Sequence, residues 1–244
     1  MSLSLWFVLP ARGRYEKTRV CLRQLARTCE ALKDLGLDAT AAVVADDDNL
    51  DTAKECGFWG VRQANYPLGR KWNDGYQCAF EEGADFVVPL GSDDWVDPIL
   101  FTDLPGPTEL RCSRLSSVVS ENGSRISPLR VWYDGGDGVR IMPRNLLANL
   151  GGRPAEESRD RAIDTSIMRN LQRLHQGNLP PLRYFDASPW QIVDWKTAGD
   201  QLNTYEACVA FRNEAEQDTW ETLKDRYPAE ALEEMRAVYG LVAA

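Results

Sequence analysis

Histidine is almost absent from this 244-residue chain: His175 is the only one, and none of the six cysteines forms a Cys-x-x-Cys pair. A zinc site needs such ligands clustered at short spacing, so zinc chemistry is excluded. The same scarcity leaves no convincing Ser–His or Cys–His nucleophilic arrangement, and His175 reads as a helix-end residue favoured by the helix dipole. Cys21, Cys29, Cys56, Cys78, Cys112 and Cys208 are scattered. Cys21, Cys29 and Cys78 fall on apolar helical stripes, where a thiol is a small core residue. Long apolar runs are also missing. The stretch over 5–10 is far short of the ~20 residues that span a bilayer, and no basic region followed by an apolar one opens the chain. The expectation is a cytoplasmic protein without a transmembrane segment and without disulfides. Positive charge is in deficit: 28 Lys and Arg against 37 Asp and Glu give a net −9. That balance argues against a protein that grips nucleic acid by neutralising phosphates.

With 43% hydrophobic and 27% charged residues the composition is globular. Residues 3–9, 41–45, 59–62 and 86–90 read as strands, the first, second and last of them nearly continuous in apolar side chains. Helical spacing fills 15–35, 50–56 and 70–82 between them. Such alternation predicts βαβ units around a mostly parallel sheet. Further on, strands are expected at 116–120, 129–133, 139–142 and 191–195, and helices at 144–150 and 156–174. Pro180-Pro181 marks a linker. The expected organisation is therefore one α/β unit over 1–178, with a C-terminal strand and helices over 179–244 as an extension.

Ligands of parallel α/β sheets bind at the carboxyl ends of the strands. Two acidic groups stand at such ends, Asp46-Asp47-Asp48 and Asp93-Asp94. Aspartate caps helices well, and one such residue would need no other explanation. Two clusters exceed what capping requires, and crowded like charges are costly unless a cation offsets them. Carboxylate oxygens without nearby Cys or His suit Mn²⁺ or Mg²⁺, ions that bridge protein carboxylates to a diphosphate.

Over residues 6–169 the order of motifs resembles that of family 2 glycosyltransferases with the GT-A fold. The first strand ends in Val8-Leu9-Pro10-Ala11-Arg12 and the second in Val43-Val44-Ala45-Asp46-Asp47. Lys71-Trp72-Asn73-Asp74-Gly75 follows, and then Leu90-Gly91-Ser92-Asp93-Asp94 in the place of the acidic metal motif. Leu150-Gly151-Gly152 and, a dozen residues on, Asp164 complete the series. Two positions depart from the family: Ser92 opens the metal motif, and Ile163 precedes the candidate base where the family has Glu.

The resemblance implies a GT-A sheet flanked by helices, a nucleotide-diphosphate sugar donor, most often a UDP-sugar, and a metal-dependent, inverting transfer to an acceptor hydroxyl. It assigns Asp46 and Asp47 to the base, with Pro10, Ala11 and Arg12 lining that pocket. Asp93 would face the ribose, Lys71 the diphosphate with Asn73 beside it, Asp94 the metal, and Asp164 would take the acceptor proton. Asp160, one helical turn before Asp164, is the alternative base, and either could instead pair with Arg161 or Arg169. Trp72 and Trp95 flank these motifs and would shape a sugar pocket or pack the core. Two other readings stay open, a sugar-phosphate nucleotidyltransferase and a non-catalytic nucleotide-sugar-binding module. The first normally carries a Gly-x-Gly phosphate loop, and Pro10-Ala11-Arg12-Gly13-Arg14 has one glycine. The acceptor is unassigned, with protein or glycan favoured over nucleic acid by the acidic charge.

Overall fold

Alternation within the first strand decides the architecture. In β1 (Leu3–Pro10) Leu5, Phe7 and Leu9 point into one core and Trp6 and Val8 into another, all buried. A strand covered on both faces belongs in the middle of a sheet. The computed structural model describes residues 2–130, 139–185, 190–196, 205–209 and 215–241. In it β1 lies between β2 (Leu37–Ala45) and β4 (Phe86–Pro89), parallel to both, and β3 (Trp59–Arg62) extends β2 in parallel. Connecting them are α1 (Tyr15–Asp34), α2 (Asn49–Glu55) and α3 (Leu68–Glu81). Leu22, Leu25, Cys29 and Leu32 of α1 cover the first face with Leu50 and Ala53 of α2. Tyr76 and Ala79 of α3 cover the second.

Beyond β4 the chain lays down β5 (Asp94–Val96), β6 (Leu110–Ser113), β7 (Leu115–Val119), β8 (Arg125–Arg130) and β9 (Arg140–Pro143). Helices α4 (Arg144–Asn149) and α5 (Ile163–Leu174) follow, then β10 (Leu182–Phe185), β11 (Ile192–Trp195), α6 (Tyr205–Val209), β12 (Gln217–Asp218), α7 (Thr219–Leu223) and α8 (Ala229–Val238). The main sheet has seven strands in the order β10-β6-β9-β4-β1-β2-β3, with β9 alone antiparallel to its neighbours. A second sheet, β12-β8-β7-β11-β5, packs through Trp95, Val119, Ile126 and Trp195 onto α7, α8 and the far side of α1. Arg27 of α1 reaches Glu234 of α8 at 3.2 Å.

The fold class is the expected one: a mostly parallel sheet flanked by helices. The first half of the chain follows its pattern to within a few residues. Three features differ from expectation. The second sheet was visible only as loose short strands. The boundary after 178 is crossed by two strands: β10 joins β6 in the main sheet, and β11 inserts between β5 and β7. The helix expected over 156–174 begins only at Ile163, because Ala162 before it sits at φ 51, a left-handed conformation no α-helix continues through. Asp160 therefore lies in a loop. Of the strand expected over 129–133, residues 131–133 lie outside the described residues.

The Asn-x-Gly motif has a packing cause. A Cβ at Gly75 would come within 2.5 Å of Val8 Cγ1 and 2.8 Å of Val44 Cγ2, so only glycine lets α3 lie this close to the sheet. Elsewhere in a helix interior Gly→Ala gains about 1 kcal/mol. Here overpacking reverses the sign, and Gly75→Ala is expected to destabilise the protein by about 1–3 kcal/mol in denaturant unfolding with an unchanged m-value. A stabilised variant would show that α3 does not pack as described.

Candidate active site

Two cavities meet at the carboxyl ends of β1 and β4. The larger, about 650 Å³, is lined by Pro10, Ala11 and Arg12 after β1, by Ser92 and Asp93 after β4, and by Lys71, Asp160 and Arg161. The smaller, about 210 Å³, takes in Asp94, Asp164, Asp194, Arg140 and Ser116. Trp72 and Gly91 line both, so the two spaces share a wall.

Strand pairing assembles the acidic centre. Antiparallel register sets Asp194 of β11 opposite Asp94 of β5, and Asp93 precedes β5. Carboxylate oxygens of Asp93, Asp94 and Asp194 all lie within 4.8 Å of one another. Gly91 makes the turn possible. Its N–H donates to Asp94 Oδ2 at 2.8 Å, and a Cβ there would meet that same oxygen at 2.7 Å.

Three internal cations offset the crowding unevenly. Arg14 donates to Asp93 at 2.6 Å, and Lys17, nearly fully buried, lies 3.5 Å from the same oxygen while donating to the Trp195 carbonyl. Lys196 pairs with Asp194. Burial alone would raise the Asp93 carboxyl, but Lys17, Arg14 and Lys196 outweigh it and hold it below its ordinary value. Asp94 has no such partner at ion-pair distance among the described residues. Burial first, then Asp194 and Asp93, push it up to about 8. Burial also raises Asp194, with Asp93 adding to the effect and Lys196 opposing it.

These residues fit a divalent cation. Asp194 Oδ1 is buried without a hydrogen-bond partner among the described residues, and the Asp94 carboxylate accepts only from the Gly91 N–H there. Hard oxygen donors of this kind suit Mn²⁺ or Mg²⁺.

The expected site residues distribute as follows. Asp94 and Asp164 share the smaller cavity, and Asp164 is ion-paired to the buried Arg140 rather than to Arg161 or Arg169. Pro10, Ala11, Arg12, Lys71 and Asp93 share the larger. Lys71 Nζ donates to the Ala11 carbonyl and to Asn65 Oδ1 at 2.5 Å. Asp46 is outside the lining of both cavities but next to the larger, accepting at 3.1 Å from Nδ2 of Asn65, which lines it. Asp47 and Asn73 do not line either cavity. Asp47 accepts from the N–H groups of Gly13 and Asn49, tying the loop after β1 to the loop after β2. Asn73 pairs with the backbone of Ala155 through both amide atoms, at 2.8 and 2.9 Å, and so fixes the loop ahead of α5. Asp93 is turned to Arg14 and Lys17. Trp95 is buried in the third core against Trp195 and Tyr227, and His175 follows the last turn of α5, at the opposite end from Asp164.

Sequence reasoning missed Lys17 and Arg140, and it placed Asp194 and Lys196 only in a stretch that could close over the acceptor, not in the acidic centre. Their signal was charge where apolar residues belong. Lys17 continues the α1 stripe of Val20, Cys21 and Gln24, and Asp194 interrupts an apolar strand.

No family model and no curated protein matches this chain. Solved structures do. A Staphylococcus aureus TarS fragment, residues 1–349 with UDP, is similar at a TM-score of 0.56 and 14% identity, over 80% of this chain and 61% of that one. The same fragment without UDP gives 0.55 and 14% over 96% of this chain and 72% of that one. A Desulfovibrio desulfuricans G20 protein, provisionally described as a nucleotide-diphospho-sugar transferase, gives 0.51 and 14% over the full length of both. The chain thus spans about three fifths of the first of these. These likenesses define the architecture: the protein has the GT-A-like fold of nucleotide-diphospho-sugar transferases.

Raised to about 8, the Asp94 carboxyl holds a proton in the folded chain over a range where the unfolded chain has released it. Metal-free stability should therefore fall as pH rises from the ordinary carboxylate range through 8, and affinity for a cation should rise over the same range. We expect Mn²⁺ to raise Tm more at pH 8 than at pH 6, and Asp94→Asn to abolish the Mn²⁺ effect without lowering the metal-free Tm. A Tm indifferent to Mn²⁺ at both pH values would remove the cation from the site.

Proposed function

We propose that the protein is a glycosyltransferase that moves a sugar from a nucleoside diphosphate sugar, a UDP-sugar by preference, to an acceptor hydroxyl with inversion. One observation carries the reading: a candidate base, Asp164, and the neighbouring carboxylates Asp94 and Asp194, of which Asp94 has no cation partner among the described residues, face one small cavity that shares a wall with a larger one rich in cations. A base, a leaving-group site and a shared wall between them are what a displacement at an anomeric carbon requires. TarS, whose structure holds UDP, supports this choice of donor.

In this reading the nucleoside diphosphate occupies the larger cavity, with Lys71 beside the phosphates and Asp46, next to that cavity, toward the base. The sugar lies along Trp72, where the cavities meet. The acceptor enters the smaller cavity, and its hydroxyl proton passes to Asp164 as the oxygen attacks. Arg140, buried beneath, fixes where that carboxylate stands. A divalent ion held by Asp94 and Asp194 would act as a Lewis acid, offsetting charge on the departing diphosphate. The Asp194 contribution comes from beyond residue 178, which makes the C-terminal part of the chain a participant in the site.

Incubation with a panel of nucleotide sugars and Mn²⁺ tests the class: a transferase releases nucleoside diphosphate. Release of pyrophosphate from a nucleoside triphosphate and a sugar phosphate would instead mark a nucleotidyltransferase. Asp164→Asn should leave donor affinity unchanged and lower kcat by roughly 10²–10⁴-fold, the usual weight of a general base. A near-normal kcat, or a product that retains the donor's anomeric configuration, would contradict the assignment.

Lys71 adds a pH dependence. Burial draws its ammonium down to about 8 against the pull of Asp46 and Asp47. It is charged below that value and neutral above it, so UDP affinity should decline as pH rises through 8. Lys71→Met should flatten that decline, and an unchanged profile would separate Lys71 from the phosphates.

A further inference from the structure

The lining of the larger cavity carries more positive than negative charge: Arg12, Arg14, Lys71 and Arg161 against Asp93 and Asp160. None of Arg12, Lys71 and Arg161 has a carboxylate at ion-pair distance among the described residues. Arg12 donates to the Tyr66 hydroxyl at 2.7 Å and lies over its ring. Lys71, almost fully buried, meets only the neutral oxygens of Ala11 and Asn65, which leaves one of its three N–H donors unused. Arg161 is exposed and has no side-chain partner among the described residues, although the backbone around it is fixed: Gly69 N–H donates to the Arg159 carbonyl at 2.7 Å, and Leu68 N–H to Asp160 Oδ1 at 3.1 Å. Of the two carboxylates in the lining, Asp93 is paired with Arg14 and Lys17, and Asp160 accepts from the Leu68 N–H, so the cations outnumber the negative charge left to them.

Three cations converging on one space, in a chain of net charge −9, call for an anion. Each phosphate of a nucleoside diphosphate brings negative charge, and guanidinium groups match phosphate oxygens in pairs. The carboxylate pair suited to a cation opens mainly into the other cavity, beyond Trp72 and Gly91. We infer that this protein holds a nucleoside diphosphate through Arg12, Lys71 and Arg161 without a divalent ion, the ion being needed for sugar transfer and not for binding. The inference rests on the donor reading above and adds Arg161 as a phosphate contact that no sequence motif marked.

Titration calorimetry with UDP in excess chelator tests it. Wild-type protein should bind UDP within about tenfold of its affinity in Mn²⁺. Arg161→Ala should weaken that metal-free binding about tenfold or more, as expected for loss of a charged hydrogen bond, and should reduce its dependence on salt. Arg161→Lys should recover part of the affinity. Arg173→Ala, on the exposed face of α5 outside the cavity, should bind as wild type. The Arg161 side chain is exposed and makes no hydrogen bond or ion pair among the described residues, so an unchanged Tm should accompany the loss. UDP binding seen only with Mn²⁺, or undiminished in Arg161→Ala, overturns the inference while leaving the donor reading intact. Metal-free UDP binding lost in Arg161→Ala, with no turnover of any nucleotide sugar, supports the inference and overturns the donor reading. Failure of UDP, CDP, GDP and ADP to bind under either condition overturns both.

Discussion

Three carboxylates held within 4.8 Å of one another set the terms for the rest of this structure. At such distances each like-charge pair costs on the order of 3–4 kcal/mol at an effective dielectric of about 20, several times the worth of an exposed ion pair. The fold meets that cost locally. Arg14 and Lys17 neutralise Asp93, and Lys196 neutralises Asp194. Asp94 is left buried without such a cation among the described residues, and burial first, with repulsion from Asp194 and Asp93 added, raises its carboxyl to about 8. Two of these cations stitch distant parts together: Arg14, just ahead of α1, reaches Asp93 after β4, and Lys17 of α1 bonds the backbone of Trp195 at the end of β11.

That stitching explains the second sheet. β5 and β11 must run side by side for Asp94 and Asp194 to face each other, and the tryptophans beside those residues, Trp95 and Trp195, pack edge-on with ring centroids 4.8 Å apart. The aromatic core under the second sheet thus supports the charged centre above it. On the other side, α3 serves both cavities from adjacent residues, Lys71 toward the larger and Trp72 toward each. Its close approach to the sheet, permitted by Gly75, brings Lys71 under the loop after β1.

The sequence was most legible where local pattern and tertiary role coincide. In β1, β2 and β4 the apolar runs are buried on both faces, and the acidic residues that follow them lie at strand ends, where a parallel sheet leaves room for ligands. Asp94, Lys71 and Asp164 were each singled out as candidates by motif order, and each lines a cavity. Residues whose place depends on long-range pairing were not legible. Asp194 reaches the centre through the register of β11 against β5, and Arg140 reaches Asp164 from a strand in the middle of the main sheet. No spacing in the sequence encodes either contact. Asn73 and Asp47 fit the motifs, yet their polar atoms hold neighbouring loops, because an Asn or Asp beside a turn bonds backbone readily.

The claim on which this account turns is that Asp94 and Asp194 form a cation site beside a nucleotide cavity. A crystal structure with UDP and Mn²⁺, with the ion located by anomalous scattering, tests it most directly. The account predicts one manganese peak within coordinating distance of Asp94 and Asp194, with the diphosphate between Lys71 and Arg161. Manganese elsewhere on the chain, or UDP outside the cavity lined by Ala11 and Lys71, would contradict it.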